Sequence, residues 1–298
     1  MPAVLIAGCG YVGAAAADLF HQRGWTVEGW TFSADSAREL SAKPYAVRAV
    51  NIAHHGEVIA AAKEFDAVIH CASSRGGDVD TYRRVYRDGA SNLTATFPCA
   101  LLCFTSSTSV YEQTGGDWVT ELSAAEPHRE TGRILREAEE IVLDTGGVVA
   151  RVAGIYGPGR SALLSKLLTG TAVLEPNERF LNQVHREDVA EALFFLVQHH
   201  TRTAAGKRVV ERLIYNVSDD HPFTQRECYE WLAATLQRPV PPSVRNSVER
   251  KRGNSNKRVS SEKLQRLGWS PRYPTFQRAM TESILPALQR SGPQNIAV

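Results

Sequence analysis

Val4-Leu5-Ile6-Ala7-Gly8-Cys9-Gly10-Tyr11-Val12-Gly13 decides how this chain is read. Four apolar residues, too few for a helix, run into a glycine turn. The alanine-rich stretch 14–20 that follows has the composition of a helix. The order is therefore strand, tight turn, helix, with Gly-x-Gly-x-x-Gly at the junction. Gly8 lets the chain turn sharply. Gly10 presents no side chain to a pyrophosphate approaching the backbone, and Gly13 lets helix and strand pack closely. The N–H groups at the helix start, with the helix dipole behind them, form an anion site. The spacing predicts a dinucleotide cradle built from Gly8, Gly10, Tyr11, Val12 and Gly13. Glycine turns are common as purely structural devices, but the flanking strand and helix supply the context a cofactor needs.

A chain of 298 residues accommodates one large domain or somewhat more, and its 43% apolar residues support a sizeable core. Its 34 basic and 32 acidic residues nearly cancel, which leaves no electrostatic footprint for nucleic acid or an anionic membrane surface. No apolar run reaches the roughly 18 residues of a membrane span. The chain enters its first strand with no basic leader or cleavage pattern, so a cytoplasmic protein is expected. Its five cysteines (Cys9, Cys71, Cys99, Cys103 and Cys228) are scattered and odd in number. They read as thiols in a reducing compartment, and none pairs at zinc-ligand spacing, so no metal is assigned.

Strands and helices alternate through the first half. Strands are expected at 25–32, 46–52, 65–71, 100–105 and 148–155, with helices at 36–40, 56–63, 80–93 and 131–143 between them. The mostly apolar run at 65–71 suits a strand buried on both faces, as in a parallel sheet. Beyond Gly157-Pro158-Gly159, a strong turn, the rhythm changes. Helices are expected at 163–168, 188–199 and 224–236, with a strand at 213–217. The last helix has Thr224 and Glu227 spaced as a capping box. The polar stretch 239–258 carries Arg245, Arg250, Lys251, Arg252, Lys257 and Arg258, and reads first as a solvated loop. The fold class is α/β: a Rossmann-type doubly wound parallel sheet with a smaller C-terminal substrate-binding lobe. Residues 1–156 and 183–218 are assigned to the dinucleotide-binding domain, and 157–182 and 219–298 to the lobe.

Five separated stretches carry a resemblance: residues 8–13, 66–72 (Asp-Ala-Val-Ile-His-Cys-Ala), 106–111 (Ser-Ser-Thr-Ser-Val-Tyr), 151–159 (Arg-Val-Ala-Gly-Ile-Tyr-Gly-Pro-Gly) and 182–190 (Asn-Gln-Val-His-Arg-Glu-Asp-Val-Ala). In that order they resemble an extended short-chain dehydrogenase/reductase of the NAD-dependent epimerase/dehydratase type. The resemblance implies that Cys71, Ala72 and Ser73 run along the cofactor, with Asn51, Ile52, Ser106, Gly154 and Ile155 also in its contact set. It implies that Ser107 hydrogen-bonds the reacting oxygen of the substrate, and that Tyr111 sits near it. Tyr156, Arg160 and His185 fall on the substrate side, where His185 reads equally well as a structural partner next to Asp188.

The sequence departs from the family at its acid–base pair, Tyr-x-x-x-Lys on the helix after the serine strand. There the tyrosine transfers a proton and the lysine lowers its pKa. Aligning on the acidic Glu139 places Thr131 at the tyrosine position and Leu135 at the lysine position. Arg133 and Arg136 bring charge but no transferable proton. Tyr111, Tyr156, His128 and His185 are the candidates elsewhere, with Tyr111 the best placed. The chain resembles a subgroup that keeps the cofactor turn and lacks the pair.

At the end of the second strand, NAD enzymes place an acid for the ribose hydroxyls. This chain reads Trp30-Thr31-Phe32-Ser33-Ala34, with Asp35 too far along and Glu28 inside the strand. Thr31, Ser33 and Arg38 are assigned to the cofactor, and with no acid to repel a 2′-phosphate and Ser33, Ser36 and Arg38 nearby, NADP is slightly favoured over NAD. The function expected is hydride transfer on a small carbonyl or sugar-nucleotide substrate. The alternative is a non-catalytic dinucleotide sensor or scaffold. The partner expected is a small molecule, with a homodimer as the assembly the family suggests.

Overall fold

The computed structural model describes residues 1–203, 212–244 and 255–291. In chain order the elements begin with β1 (Ala3–Ala7), α1 (Tyr11–Gln22), β2 (Thr26–Thr31), α2 (Ala34–Glu39), β3 (Ala46–Ala49), α3 (His55–Ala61) and β4 (Ala67–His70). Next come α4 (Val79–Tyr82), a π-helical stretch (Arg83–Asp88), α5 (Gly89–Thr96), β5 (Leu101–Ser107), a 3-10 turn (Thr108–Val110), β6 (Trp118–Val119), α6 (Glu130–Asp144) and β7 (Val148–Val152). After these lie β8 (Gly154–Tyr156), α7 (Ala162–Leu168), β9 (Phe180–Leu181), β10 (Gln183–His185), α8 (Arg186–Thr203) and β11 (Ile214–Val217). The chain ends with β12 (Phe223–Thr224), α9 (Gln225–Thr235), β13 (Arg258–Val259), α10 (Glu262–Arg266), α11 (Phe276–Ala279), a second π-helical stretch (Met280–Ile284) and α12 (Leu285–Ser291).

Seven strands form one sheet in the order β11-β7-β5-β4-β1-β2-β3. The pairs β3–β2, β2–β1, β1–β4, β4–β5 and β5–β7 are parallel. The order reverses direction at β1, the switch point at which ligands bind in such sheets. The apolar residues of the central strands are buried on both faces: Val4, Leu5, Ile6, Val68, Ile69, Cys103 and Phe104 are all inaccessible. This is the doubly wound parallel sheet expected from the alternation.

The chain divides into two compact units. The first comprises residues 1–110, 125–152 and the described part of 189–215; the second comprises 111–124, 153–188 and the described residues from 216 onward. In the first unit α1 presses Ala16, Ala17 and Phe20 into the core, where Phe20 meets Trp25 and Phe194 edge-on. The second unit has its own core, in which Tyr156, Leu164, Leu167, Tyr229, Leu232, Phe276 and Met280 pack together. The capping box at Thr224 and Glu227 is present, with each side chain accepting the other's backbone N–H.

Two expected elements differ in detail. The strand expected over 148–155 breaks at Ala153 into β7 and β8. β8 pairs instead with β10, and the Gly154 N–H donates to the Asn182 carbonyl at 2.9 Å. The helix expected over 80–93 runs on to Thr96 and contains the π-helical turn. There the buried His70 Nε2 donates to the Val85 carbonyl at 3.0 Å. A side chain inserted into the helical hydrogen-bond ladder is a recognised cause of such a bulge. Burial lowers the His70 pKa to about 4, so the ring is neutral. Arg245, Arg250, Lys251 and Arg252 lie outside the described residues; Lys257 and Arg258 lie within them.

Candidate functional site

The turn between β1 and α1 is held by β2. The N–H groups of Gly8 and Cys9 both donate to the Trp30 carbonyl, at 3.0 and 2.7 Å. Gly8 has φ +103°, and a Cβ there would lie 2.1 Å from the Ala72 nitrogen. A Cβ on Gly13 would lie 2.1 Å from the Gly8 carbonyl oxygen, so the helix start rests directly on the turn. Gly10 is the opposite case: a Cβ there meets nothing within 4 Å. No side chain caps α1 at its first turn. An open face above Gly10 and a helix start with no side-chain cap below it fit a pyrophosphate.

The other residues expected along the cofactor lie at the ends of β2, β3, β4 and β5. Thr31 Oγ1 donates to the Ser33 carbonyl at 3.1 Å, and Ser33 caps α2 by accepting from the Ser36 N–H. Arg38 pairs with Asp35 at the surface. Glu28 is buried and its carboxylate is fully engaged by Trp30 Nε1, Arg48 and Lys63. Burial opposes its charge, but Lys63, Trp30 and Arg48 outweigh that and hold its pKa below the usual carboxylate range. No acid on β2 is therefore free to face a ribose. Asn51 Oδ1 accepts from the Ala53 N–H, and the Ile52 carbonyl accepts from Asn92. Cys71 lies 3.2 Å from the Thr105 hydroxyl, and burial pushes its thiol up to about 12, so it is not a nucleophile at neutral pH. Ser73 Oγ accepts from the exposed Arg75 N–H.

Neighbouring serines on β5 have different surroundings. Ser106 donates to Glu139 at 2.6 Å. Glu139 is wholly buried and also takes Arg151, 2% exposed, through Nε at 3.0 and 3.2 Å and through Nη2 at 2.7 Å. Arg136 completes the cluster. The sequence reading missed this pairing, although an arginine inside the otherwise apolar strand 148–152 was its signal. Ser107 Oγ accepts from the Ser109 N–H at 3.1 Å, which leaves its own proton uncommitted among the described residues. On α6, Thr131 is half-buried and Leu135 is buried, and the helix contains neither tyrosine nor lysine.

The second unit holds the other candidates. Tyr111 is fully buried, and its hydroxyl donates to Asn216 Oδ1 at 2.9 Å. Gly154 is exposed and Ile155 half-buried on β8, and Arg160 is exposed. Tyr156 is buried, and among the described residues its hydroxyl has no hydrogen-bond partner. His185 is inaccessible; its Nδ1 accepts from the Glu187 N–H and its Nε2 lies 3.1 Å from Ser283 Oγ. Burial, followed by Arg186 and Arg272, lowers its pKa to about 4. Asp188 anchors the backbone by accepting from the N–H groups of Arg272 and Tyr273. Among the described residues no cluster of His, Cys, Asp or Glu is placed to hold a metal, and no helix is long and apolar enough to cross a membrane.

Asp219, also buried, gives a pH prediction. Burial chiefly, with Asp220 and Asp188 adding to it, raises its pKa to about 8, while the His221 N–H works the other way. An unfolded aspartate releases its proton near 3.9, so between these values the native state holds more protons and stability falls as pH rises. His70 and His185 act in the opposite sense only below about pH 6.5. Measured against Asp219→Asn, in which the contributions of His70, His185 and Lys257 cancel, the wild-type chain should therefore lose up to about 1.4 kcal/mol of unfolding free energy per pH unit between about pH 6.5 and 7.5. Urea melts of both chains across this range measure that difference, and a difference that does not change with pH would contradict it.

The parallel sheet and the glycine cradle at its switch point define a Rossmann-type α/β protein. The family model for the NAD dependent epimerase/dehydratase family matches residues 4–217, and the chain belongs to that family. No protein with curated function matches it. Among solved structures, a conserved protein of unknown function from Silicibacter pomeroyi is 24% identical, covers 98% of this chain and 99% of its own, and has a TM-score of 0.73. The UDP-glucose 4-epimerase of Thermus thermophilus, solved with NAD, is 21% identical over 96% of this chain and 98% of its own, with a TM-score of 0.77. The dTDP-glucose 4,6-dehydratase of Bacillus anthracis, also solved with NAD, is 17% identical over 99% of this chain and 98% of its own, with a TM-score of 0.78. At these identities the likeness is one of fold.

Proposed function

We propose that the chain binds a nicotinamide dinucleotide at the β1–α1 turn, NADP in preference to NAD, and carries out hydride transfer on a small carbonyl or sugar-nucleotide substrate. The open, uncapped face at Gly10 carries this reading. Tyr11, Val12 and Gly13 would hold the pyrophosphate through backbone N–H groups, and Asn51, Ile52, Ala72 and Ser73 would line the cofactor's path. The NADP preference is supported by the engagement of Glu28 with Lys63, Arg48 and Trp30. It is also supported by Ser33, Ser36 and Arg38 at the end of β2, where a 2′-phosphate would meet no free acid. When bound, the nicotinamide supplies or accepts the hydride. Ser107, with its proton uncommitted, would polarise the substrate oxygen.

Ser107→Ala should lower kcat by about 100-fold, the cost of removing one donor to a developing oxyanion, with NADP affinity unchanged. Steady-state turnover beside calorimetric binding checks this, and unchanged turnover excludes the assigned role. The absence of tyrosine and lysine from α6 favours a second reading, a dinucleotide-dependent sensor. NADP-dependent affinity for a protein partner, with no turnover, would distinguish it.

A further inference from the structure

Arg75 stands at the tip of the loop that joins β4 to α4, within the first unit. It is exposed, and among the described residues its guanidinium forms neither an ion pair nor a hydrogen bond. The other basic side chains around it are occupied. Every other lysine and arginine of residues 1–110 except Arg84 meets a carboxylate. Arg84 donates to the Thr81 hydroxyl at 3.4 Å. Asp78, the nearest acid along the chain, caps α4 by accepting from the Thr81 N–H at 2.9 Å. The backbone also sets the residue apart. Arg75 has φ +52°, in the left-handed region where a side chain of this kind is uncommon. The loop keeps that shape through three contacts. The Arg75 N–H donates to Ser73 Oγ at 3.3 Å, the Gly77 N–H to the Ser74 carbonyl at 3.0 Å, and the Ser74 N–H to the Tyr86 hydroxyl at 3.3 Å. Such outliers, held in place by their surroundings, gather at functional sites.

The loop leaves β4 directly beside the glycine turn. A Cβ on Gly8 would lie 2.1 Å from the Ala72 nitrogen and 2.4 Å from its Cα, so the two backbones are in contact. Arg75 follows three residues later, which keeps its Cα within about 11 Å of that of Ala72. A long, uncommitted side chain at the tip spans from there to the open face at Gly10. That face needs a cation. A pyrophosphate carries two negative charges, and a helix N-terminus answers with about half of one. Neither the turn nor α1 contains a lysine or arginine. We propose that Arg75 is the counter-ion of the dinucleotide's pyrophosphate, folding over it from the side opposite α1 and donating to its oxygens. The inference rests on the dinucleotide reading above and adds a side-chain contact to the backbone cradle. A guanidinium suits the task, because its fork of donors matches two phosphate oxygens and its charge persists at every working pH.

The test titrates full-length wild type, Arg75→Gln and Arg75→Lys calorimetrically with NADP, NAD and ADP-ribose. The last keeps the pyrophosphate and lacks the nicotinamide. Arg75→Gln should bind all three about tenfold or more weakly than wild type, the loss of a charge-assisted contact. Arg75→Lys, a point charge without the fork, should recover part of that loss. Raising the salt from about 0.05 to 0.5 M should narrow the gap between wild type and Arg75→Gln, because screening weakens an exposed charge. Thermal melts of the three chains without ligand should coincide, since the side chain is exposed and holds nothing in the fold. An Arg75→Gln chain that binds all three ligands within about twofold of wild type overturns the inference. So does a gap that salt leaves unchanged, or a loss confined to NADP, which would put the arginine on the 2′-phosphate instead. A wild type that binds none of the three overturns the dinucleotide reading itself.

Discussion

Glu139→Ala should destabilise the first unit by about 3–5 kcal/mol, the loss typical of breaking a buried ion pair from one side. The reason lies in what remains. Arg151 sits on β7 at 2% exposure, with its guanidinium directed at Glu139 through three hydrogen bonds. Without the carboxylate, a buried cation has lost its anion and Ser106 has lost its acceptor. The pair as a whole is another matter, since taking both charges out of water costs much of what their attraction returns. The double change Glu139→Leu with Arg151→Met should therefore recover most of the loss. Urea unfolding followed by circular dichroism measures all three. A single variant within about 1 kcal/mol of wild type would show that Arg151 finds other support.

Gly10→Val should reduce dinucleotide affinity by about 100-fold or more while leaving the fold nearly intact. Excluding the pyrophosphate from the backbone forfeits at least a charge-assisted hydrogen bond or two, on the order of 3 kcal/mol. The protein has room for the new side chain, since nothing lies within 4 Å of a Cβ at this position and φ is −97°. The stability cost should stay within about 1 kcal/mol, as for other changes at a helix N-cap. Gly8→Ala and Gly13→Ala are the contrast, because each would drive a Cβ to 2.1 Å from backbone. They should damage the fold itself. Calorimetric titration with NADP and a thermal melt, run on all three variants, separates the two effects.

The features legible in the sequence are those set by local composition. A glycine turn between an apolar strand and an alanine-rich helix is a local statement. So is the buried run of β4, apolar up to His70, and so is the Thr224–Glu227 capping box, which forms as its spacing predicts. The features that were not legible depend on partners distant in sequence. The break at Ala153 follows from β8 reaching Asn182, and the π-helical turn from His70 reaching Val85. Neither partner can be found from a residue's neighbours in the chain. Glu139 was read as a landmark on its helix, whereas the fold uses it to neutralise Arg151. Lys257 was read as one charge in a polar stretch, but it is buried with two neutral acceptors.

The cofactor cradle and the proton-transfer machinery therefore stand on different footing. The first is spelled out by three glycines, each with its own geometric demand. For the second, α6 offers neither tyrosine nor lysine. Calorimetric titration of the full-length wild-type chain with NADP and with NAD tests the cradle most directly. Saturable binding of both, tighter for NADP, with the affinity lost in Gly10→Val, is the predicted result. Absence of binding to either dinucleotide, or equal affinity in wild type and Gly10→Val, would contradict it.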